Sequence, residues 1–227
     1  MTTVLLVRHG RTTANAAGTL AGWTPGVLLD ATGQTQVSDL AQRLLPVPLT
    51  AIVSSPLERT VQTADLLAAP RPEAVRRELD PRVGECEYGD WTGRSLKELA
   101  KEADWKVVQQ HPSAAVFPGG ESMAAMQARA VSAVREWNSE LGKDAVYAIV
   151  SHGDVIKAVL ADALGMHLDQ FQRIMCDPAS VSVVQYTATR PFVLRTNDTG
   201  GTFGSFAAPS RRRRRSSDAA VGGGAGS

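Results

Sequence analysis

A chain of 227 residues can bury a substantial core within one domain, and 43% apolar with 21% charged residues is the composition of an ordinary globular protein. A formal net charge of +1 removes any bulk electrostatic case for nucleic acid or a membrane surface, although five consecutive arginines (211–215) leave the rest of the chain mildly acidic. Two cysteines, Cys86 and Cys176, exclude a disulfide framework in a chain this long and read as free thiols in a reducing compartment.

Thr3-Val4-Leu5-Leu6-Val7 is a continuous apolar run, the pattern of a strand buried on both faces in a parallel sheet. It is too short for a signal peptide and ends at Arg8; no other run is long enough to cross a bilayer, so a soluble cytoplasmic protein is expected. After a polar loop through Asn15 and Gly22, a helix fits residues 32–45, with Val37, Leu40, Ala41 and Leu44 on one face and Pro46 and Pro48 ending it. Ala51-Ile52-Val53 predicts a second buried strand, followed by a helix with Ser55 as cap and Pro56 at its first position. An insertion over 70–118 carries one predicted helix at 95–109. A long amphipathic helix follows at 122–141, then a strand at 145–150 and a helix opening at Asp154. Residues 180–186 alternate as a strand with one wetter face, and 192–195 fit an edge strand. Three strand-to-helix units predict an α/β fold, a three-layer α/β/α sandwich around a mostly parallel sheet. The expected domain is 1–198, with 199–227 a disordered Gly/Ser/Arg-rich tail.

In an open parallel sheet, ligands bind beyond the carboxyl ends of the strands. Arg8 and His9 stand at the end of the first strand and His152 at the end of the third, and Arg59 lies one turn into the helix after the second. If these strands are neighbours, two histidines and two arginines converge on one volume, and such a cluster repels itself unless an anion occupies it. Phosphate suits it, because the planar arginine fork matches its oxygens in pairs. A histidine held neutral among those cations can act as a nucleophile toward phosphorus. The leaving alkoxide needs an acid, for which Glu85 and Glu87 are the best carboxyl candidates.

Leu6-Val7-Arg8-His9-Gly10-Arg11-Thr12 with Asn15 resembles the signature of the histidine phosphatase superfamily, the phosphoglycerate mutase-like family. Gly22 and Ser54-Ser55-Pro56-Leu57-Glu58-Arg59 are similar to its second block, and Gly84-Glu85-Cys86-Glu87-Tyr88-Gly89-Asp90-Trp91 to the block that bears the acid. Pro118-Gly119-Gly120-Glu121-Ser122 with Arg129, then Ser151-His152-Gly153, complete an ordered series spanning residues 4–186. The resemblance implies the phosphoglycerate mutase-like fold. It implies His9 as the phosphorylated nucleophile, Arg8, Arg59 and His152 as the phosphate pocket, and Asn15 and Gly22 as further substrate-binding positions. It implies Glu85 as general acid and then base, and a reaction without metal or other cofactor. Thr92 stands where many relatives have Glu, outside the catalytic set.

Each residue has a plainer reading: alone, His9 or His152 would be a polar residue at a strand end. His111 and His167 read as structural or solvated, Trp91, Trp105 and Trp137 as core or substrate wall, and the arginine run as a solvated tail. The expected partner is a small phosphate ester, with nucleic acid disfavoured, no membrane, and a homodimer left open. Two other functions fit the fold. A cofactor-dependent mutase is disfavoured, because the mutases resembled here carry Glu-Arg-His-Tyr-Gly where this chain has Glu85-Cys86-Glu87-Tyr88-Gly89. A non-catalytic phosphate-binding module is disfavoured because every expected position is filled.

Overall fold

Four strands meet side by side because their apolar residues must be covered on both faces. The computed structural model describes residues 1–200 and contains β1 (Thr2–Arg8), β2 (Ala51–Ser54), β3 (Arg76–Leu79), β4 (Val146–Ser151), β5 (Val181–Tyr186) and β6 (Pro191–Asp198). They form one sheet in the order β3-β2-β4-β1-β5-β6. The pairs β3–β2, β2–β4 and β4–β1 are parallel, while β5 and β6 close the far side antiparallel. The predicted tail lies outside the described residues from 201 onward.

The helices are α1 (Thr13–Ala17), α2 (Ala31–Leu44), α3 (Glu58–Ala68), α4 (Leu96–Leu99), α5 (Trp105–Gln110), α6 (Met123–Leu141) and α7 (Gly153–Ala163). Period-2 alternation along β1 divides its side chains between two cores. Leu5 and Val7 face one core with Val37, Leu40 and Leu44 of α2 and Ala64 and Leu67 of α3. Val4 and Leu6 face the other, with Met126, Val134 and Trp137 of α6 and Ile156 and Leu160 of α7. The result is the expected three-layer α/β/α sandwich, with helices on both faces of a mostly parallel sheet.

Three details differ from expectation. Strand β3 was missed because its sequence, Arg-Arg-Glu-Leu, belongs to a solvated edge and has no apolar signature. The single helix expected over 95–109 is two short ones: Ala100 ends α4, a turn follows over 101–104, where Glu102 pairs with Arg94, and Trp105 starts α5. Ser55 does not cap α3, which begins at Glu58 after Leu57 with no side-chain cap. Cys86 and Cys176 are buried free thiols, and Trp91 and Trp137 belong to the core. No described helix is long and apolar enough to cross a membrane.

Candidate active site

The parallel register of β1 and β4 explains why the two histidines meet. Arg8, the last residue of β1, lies opposite Ser151, the last of β4. The next residue on each strand is a histidine, and the His9 amide extends the ladder to the Ser151 carbonyl (3.0 Å). Their rings stand edge to face with centroids 5.3 Å apart. Strand β2 lies on the other side of β4, so Arg59, second residue of the helix that follows β2, reaches the same volume. Arg8, His9, Arg59, Glu85 and His152 are all buried.

Hydrogen bonds fix the state of each ring. His9 Nδ1 lies 2.7 Å from the Gly10 carbonyl oxygen, which only accepts, so Nδ1 carries the proton and Nε2 keeps its lone pair. Arg59 Nη2, always a donor, lies 3.2 Å from His152 Nδ1 and 2.9 Å from the Gly22 carbonyl. His152 therefore carries its proton on Nε2 and donates to Ser55 Oγ (2.8 Å). Burial holds both imidazoles well below their ordinary pKa; Arg59 and Arg8 add to this at His9, and Arg59, His9 and Arg8 at His152. The site is thus two neutral imidazoles beside two guanidiniums. Arg8 Nη1 donates to the Cys176 carbonyl (2.7 Å), and the buried Nη1 of Arg59 has no hydrogen-bond partner among the described residues. A buried cationic donor of that kind favours an anion.

Glu85 enters from the loop before Gly89. Its Oε1 accepts from the Cys86 amide (3.0 Å), and its Oε2 lies 3.9 Å from His152 Nδ1. Burial, reinforced by the Asp154 carboxylate, pushes its pKa up to about 7, against the pull of Arg59, the Cys86 amide and Arg8. Glu87 is exposed and, among the described residues, its backbone alone is engaged, its amide donating to Glu121 Oε1. Of the two carboxyls, Glu85 joins the cluster and Glu87 does not.

Gly22 adopts φ +51°, and a Cβ there would sit 2.9 Å from Thr92 Oγ1, so glycine lets its carbonyl turn toward Arg59. Asn15 is engaged in capping α1, its Oδ1 accepting from the Thr12 amide (3.1 Å) and hydroxyl (2.9 Å).

Two parts of the site escaped the sequence reading. Ser55 looks like a helix cap and instead orients His152. Asp154 looks like a first-turn acid; it is fully buried, accepting from Tyr88 Oη (2.9 Å) and Lys157 Nζ (3.1 Å), and its charge bears on Glu85. Asp154 and Lys157 at i, i+3 within a largely apolar helix were the available signal. Among the described residues no group of three or more His, Cys, Asp or Glu is disposed to hold a metal ion.

The family model of the histidine phosphatase superfamily (branch 1) matches residues 4–199. The chain belongs to the histidine phosphatase superfamily. It is 31% identical over 207 residues to phosphoserine phosphatase 1 of Hydrogenobacter thermophilus, covering 88% of this chain and 93% of that one. It is 32% identical over 188 residues to a protein of Erwinia tasmaniensis named "Probable phosphoglycerate mutase GpmB", covering 82% and 86%. Among solved structures, YhfR of Bacillus stearothermophilus superposes with a TM-score of 0.80 at 27% identity, covering 87% of this chain and 98% of that one. This histidine phosphatase therefore has relatives named as phosphatases and relatives named as mutases.

Proposed function

We propose that this histidine phosphatase hydrolyses small phosphomonoesters without a metal ion, through a phosphohistidine formed on His9. The observation that carries the reading is the His9 ring: Nδ1 is committed to the Gly10 carbonyl, and Nε2 is left as a neutral lone pair between Arg8 and Arg59. In the first step His9 Nε2 bonds to phosphorus as the ester P–O bond breaks, and protonated Glu85 gives its proton to the departing oxygen. Arg8 and Arg59 hold the phosphoryl oxygens, with His152, Asn15 and Gly22 bordering them, and the guanidiniums balance the charge that spreads over the transferring group. In the second step the Glu85 carboxylate takes a proton from water. The water oxygen bonds to phosphorus, the N–P bond breaks, and phosphate leaves. Glu85 suits both roles because a pKa of about 7 populates both of its forms near neutrality.

The mutase reading is favoured by the 32% identity to the protein named for that activity. Against it stand Cys86 and Glu87 in the acid block, where the Glu-Arg-His-Tyr-Gly pattern of cofactor-dependent mutases has a basic pair suited to a second anionic group, and Glu87 is exposed. The deciding experiment is phosphate release from a panel of phosphomonoesters with EDTA present, comparing the unaltered chain with His9→Ala. Release that persists in EDTA and vanishes in the variant supports the proposal. Release unaffected by the substitution sinks it, and phosphoryl exchange between phosphoglycerates without release replaces it with the mutase.

A further inference from the structure

Glu85 lies in an irregular stretch between two short 3-10 turns, Pro81–Val83 and Gly89–Trp91, and the backbone here is anchored at four residues by one ion pair. Arg129, in α6, donates from Nη1 to the carbonyls of Arg82 (2.7 Å) and Gly84 (2.9 Å) and from Nη2 to that of Glu85 (2.9 Å). The same guanidinium grips both carboxylate oxygens of Glu121, Nε to Oε2 at 3.0 Å and Nη2 to Oε1. Glu121 Oε1 accepts in addition from the Glu87 amide (2.9 Å), and the Glu121 amide donates back to the Glu87 carbonyl (2.9 Å). Trp23 Nε1 adds a further bond to the Glu85 carbonyl (2.7 Å). Among the described residues, every side-chain hydrogen bond of the pair goes to this loop's backbone or to the other member of the pair.

That pattern is more than a surface salt bridge. Three carbonyls and a bidentate carboxylate need donors spread around a rigid plane, which guanidinium supplies and ammonium does not. The loop held this way carries a carboxyl that must come within hydrogen-bond reach of the leaving oxygen, where about 1 Å of misplacement costs on the order of 100-fold in rate.

We propose that Arg129 and Glu121 form a clamp that positions Glu85 as general acid and base, both being positioning residues that act through the backbone at 82–87. This rests on the phosphatase reading above, in which Glu85 handles the proton. The phosphoryl pocket is built on strand ends and on α3, so loosening the clamp leaves attack by His9 in place and impairs proton transfer.

The test compares the unaltered chain with Arg129→Lys and Glu121→Gln on phosphoserine, an alkyl ester that needs an acid, and on p-nitrophenyl phosphate, which scarcely does. For both variants kcat/KM on phosphoserine falls about 10- to 100-fold, while on the aryl ester it falls less than about threefold. On the aryl ester the phosphohistidine accumulates, because its hydrolysis needs the same carboxylate. The basic limb of the phosphoserine profile also moves to lower pH as Glu85 gains water. The groups facing Glu85 are Arg8, Arg59, His152 and Asp154 from the sheet side, Cys86 and Tyr88 of its own loop, and Arg129 itself; among these the clamp substitutions alter only Arg129. Should Arg129→Lys fail to fold, as a thermal melt would reveal, Glu121→Gln carries the comparison. Equal losses on the two esters, or none on either, overturn the clamp. An unaltered enzyme that forms no acid-labile phosphoenzyme overturns the phosphatase reading and the clamp with it.

Discussion

Glu85 is held at 4% exposure in a wall that also contains the buried Asp154 carboxylate, and the two requirements on it conflict. In the proposed mechanism its proton is needed for the leaving group, and its charge is needed to activate water. Because the pKa near 7 lies above the value near 4.5 of an ordinary Glu, the unfolded chain releases this proton at lower pH than the folded one. Stability therefore declines as pH rises from about 4.5 to 7, and the full cost is present above that. A Glu85→Gln variant, which keeps the shape and removes the charge, should melt at a higher temperature than the unaltered chain at pH 8. The difference, on the order of a few kcal/mol, should disappear near pH 4. The same variant should lose most of its kcat/KM on alkyl esters and little on aryl esters. Calorimetry at the two pH values together with the two substrates checks both halves; a variant less stable at pH 8 would mean that the carboxylate is compensated there.

At the scale of elements, the acid loop and the Pro118-Gly119-Gly120 turn meet backbone against backbone. A Cβ on Gly120 would lie 2.0 Å from the Glu87 carbonyl oxygen, a contact that no rotamer relieves. Gly120→Ala should therefore cost about 1–3 kcal/mol or more in a denaturant titration, with alkyl ester turnover falling beyond the loss of folded protein. An unchanged midpoint would show that the turn can move aside. The elements that hold the phosphoryl pocket were legible in the sequence for a simple reason. Strands β1, β2 and β4 are buried on both faces, so each is a continuous apolar run, and the polar residue that ends each run marks the site. Strand β3 was not legible, since a charged edge strand has no period to read. Ser55 could be read only as a cap, because its distance from His152 depends on two strands 97 residues apart in the chain coming together. The same holds for the bonds from Arg129 to a loop some 45 residues earlier: sequence offers the residue types, and only the packing of α6 supplies the contact.

For the molecule as a whole, an anion that bridges residues from β1, α3 and the loop after β4 ties together elements from distant parts of the chain. Inorganic phosphate should consequently raise the melting temperature of the intact protein. At a concentration 100 times its Kd the gain is about 2.7 kcal/mol, roughly 5–10 °C for a chain of this size. Arg59→Ala should lose more than about half of that shift at the same concentration, because Arg59 is one of the two guanidiniums in the pocket. A shift of equal size in the variant would place the anion elsewhere.

The proposed nucleophile and the proposed proton carrier are mounted on different kinds of support. His9, Arg8 and His152 sit on the ends of paired strands, where the sheet dictates their spacing, while Glu85 rides on an irregular loop tied down by Arg129 of α6 and by Glu121 just before that helix. Insertions or exchanges in that loop would alter which leaving group is accommodated without disturbing the anion cradle. Such a modular plan lets one scaffold diversify: the half that recognises what all phosphate esters share stays constant, and the half that meets what distinguishes them is free to drift.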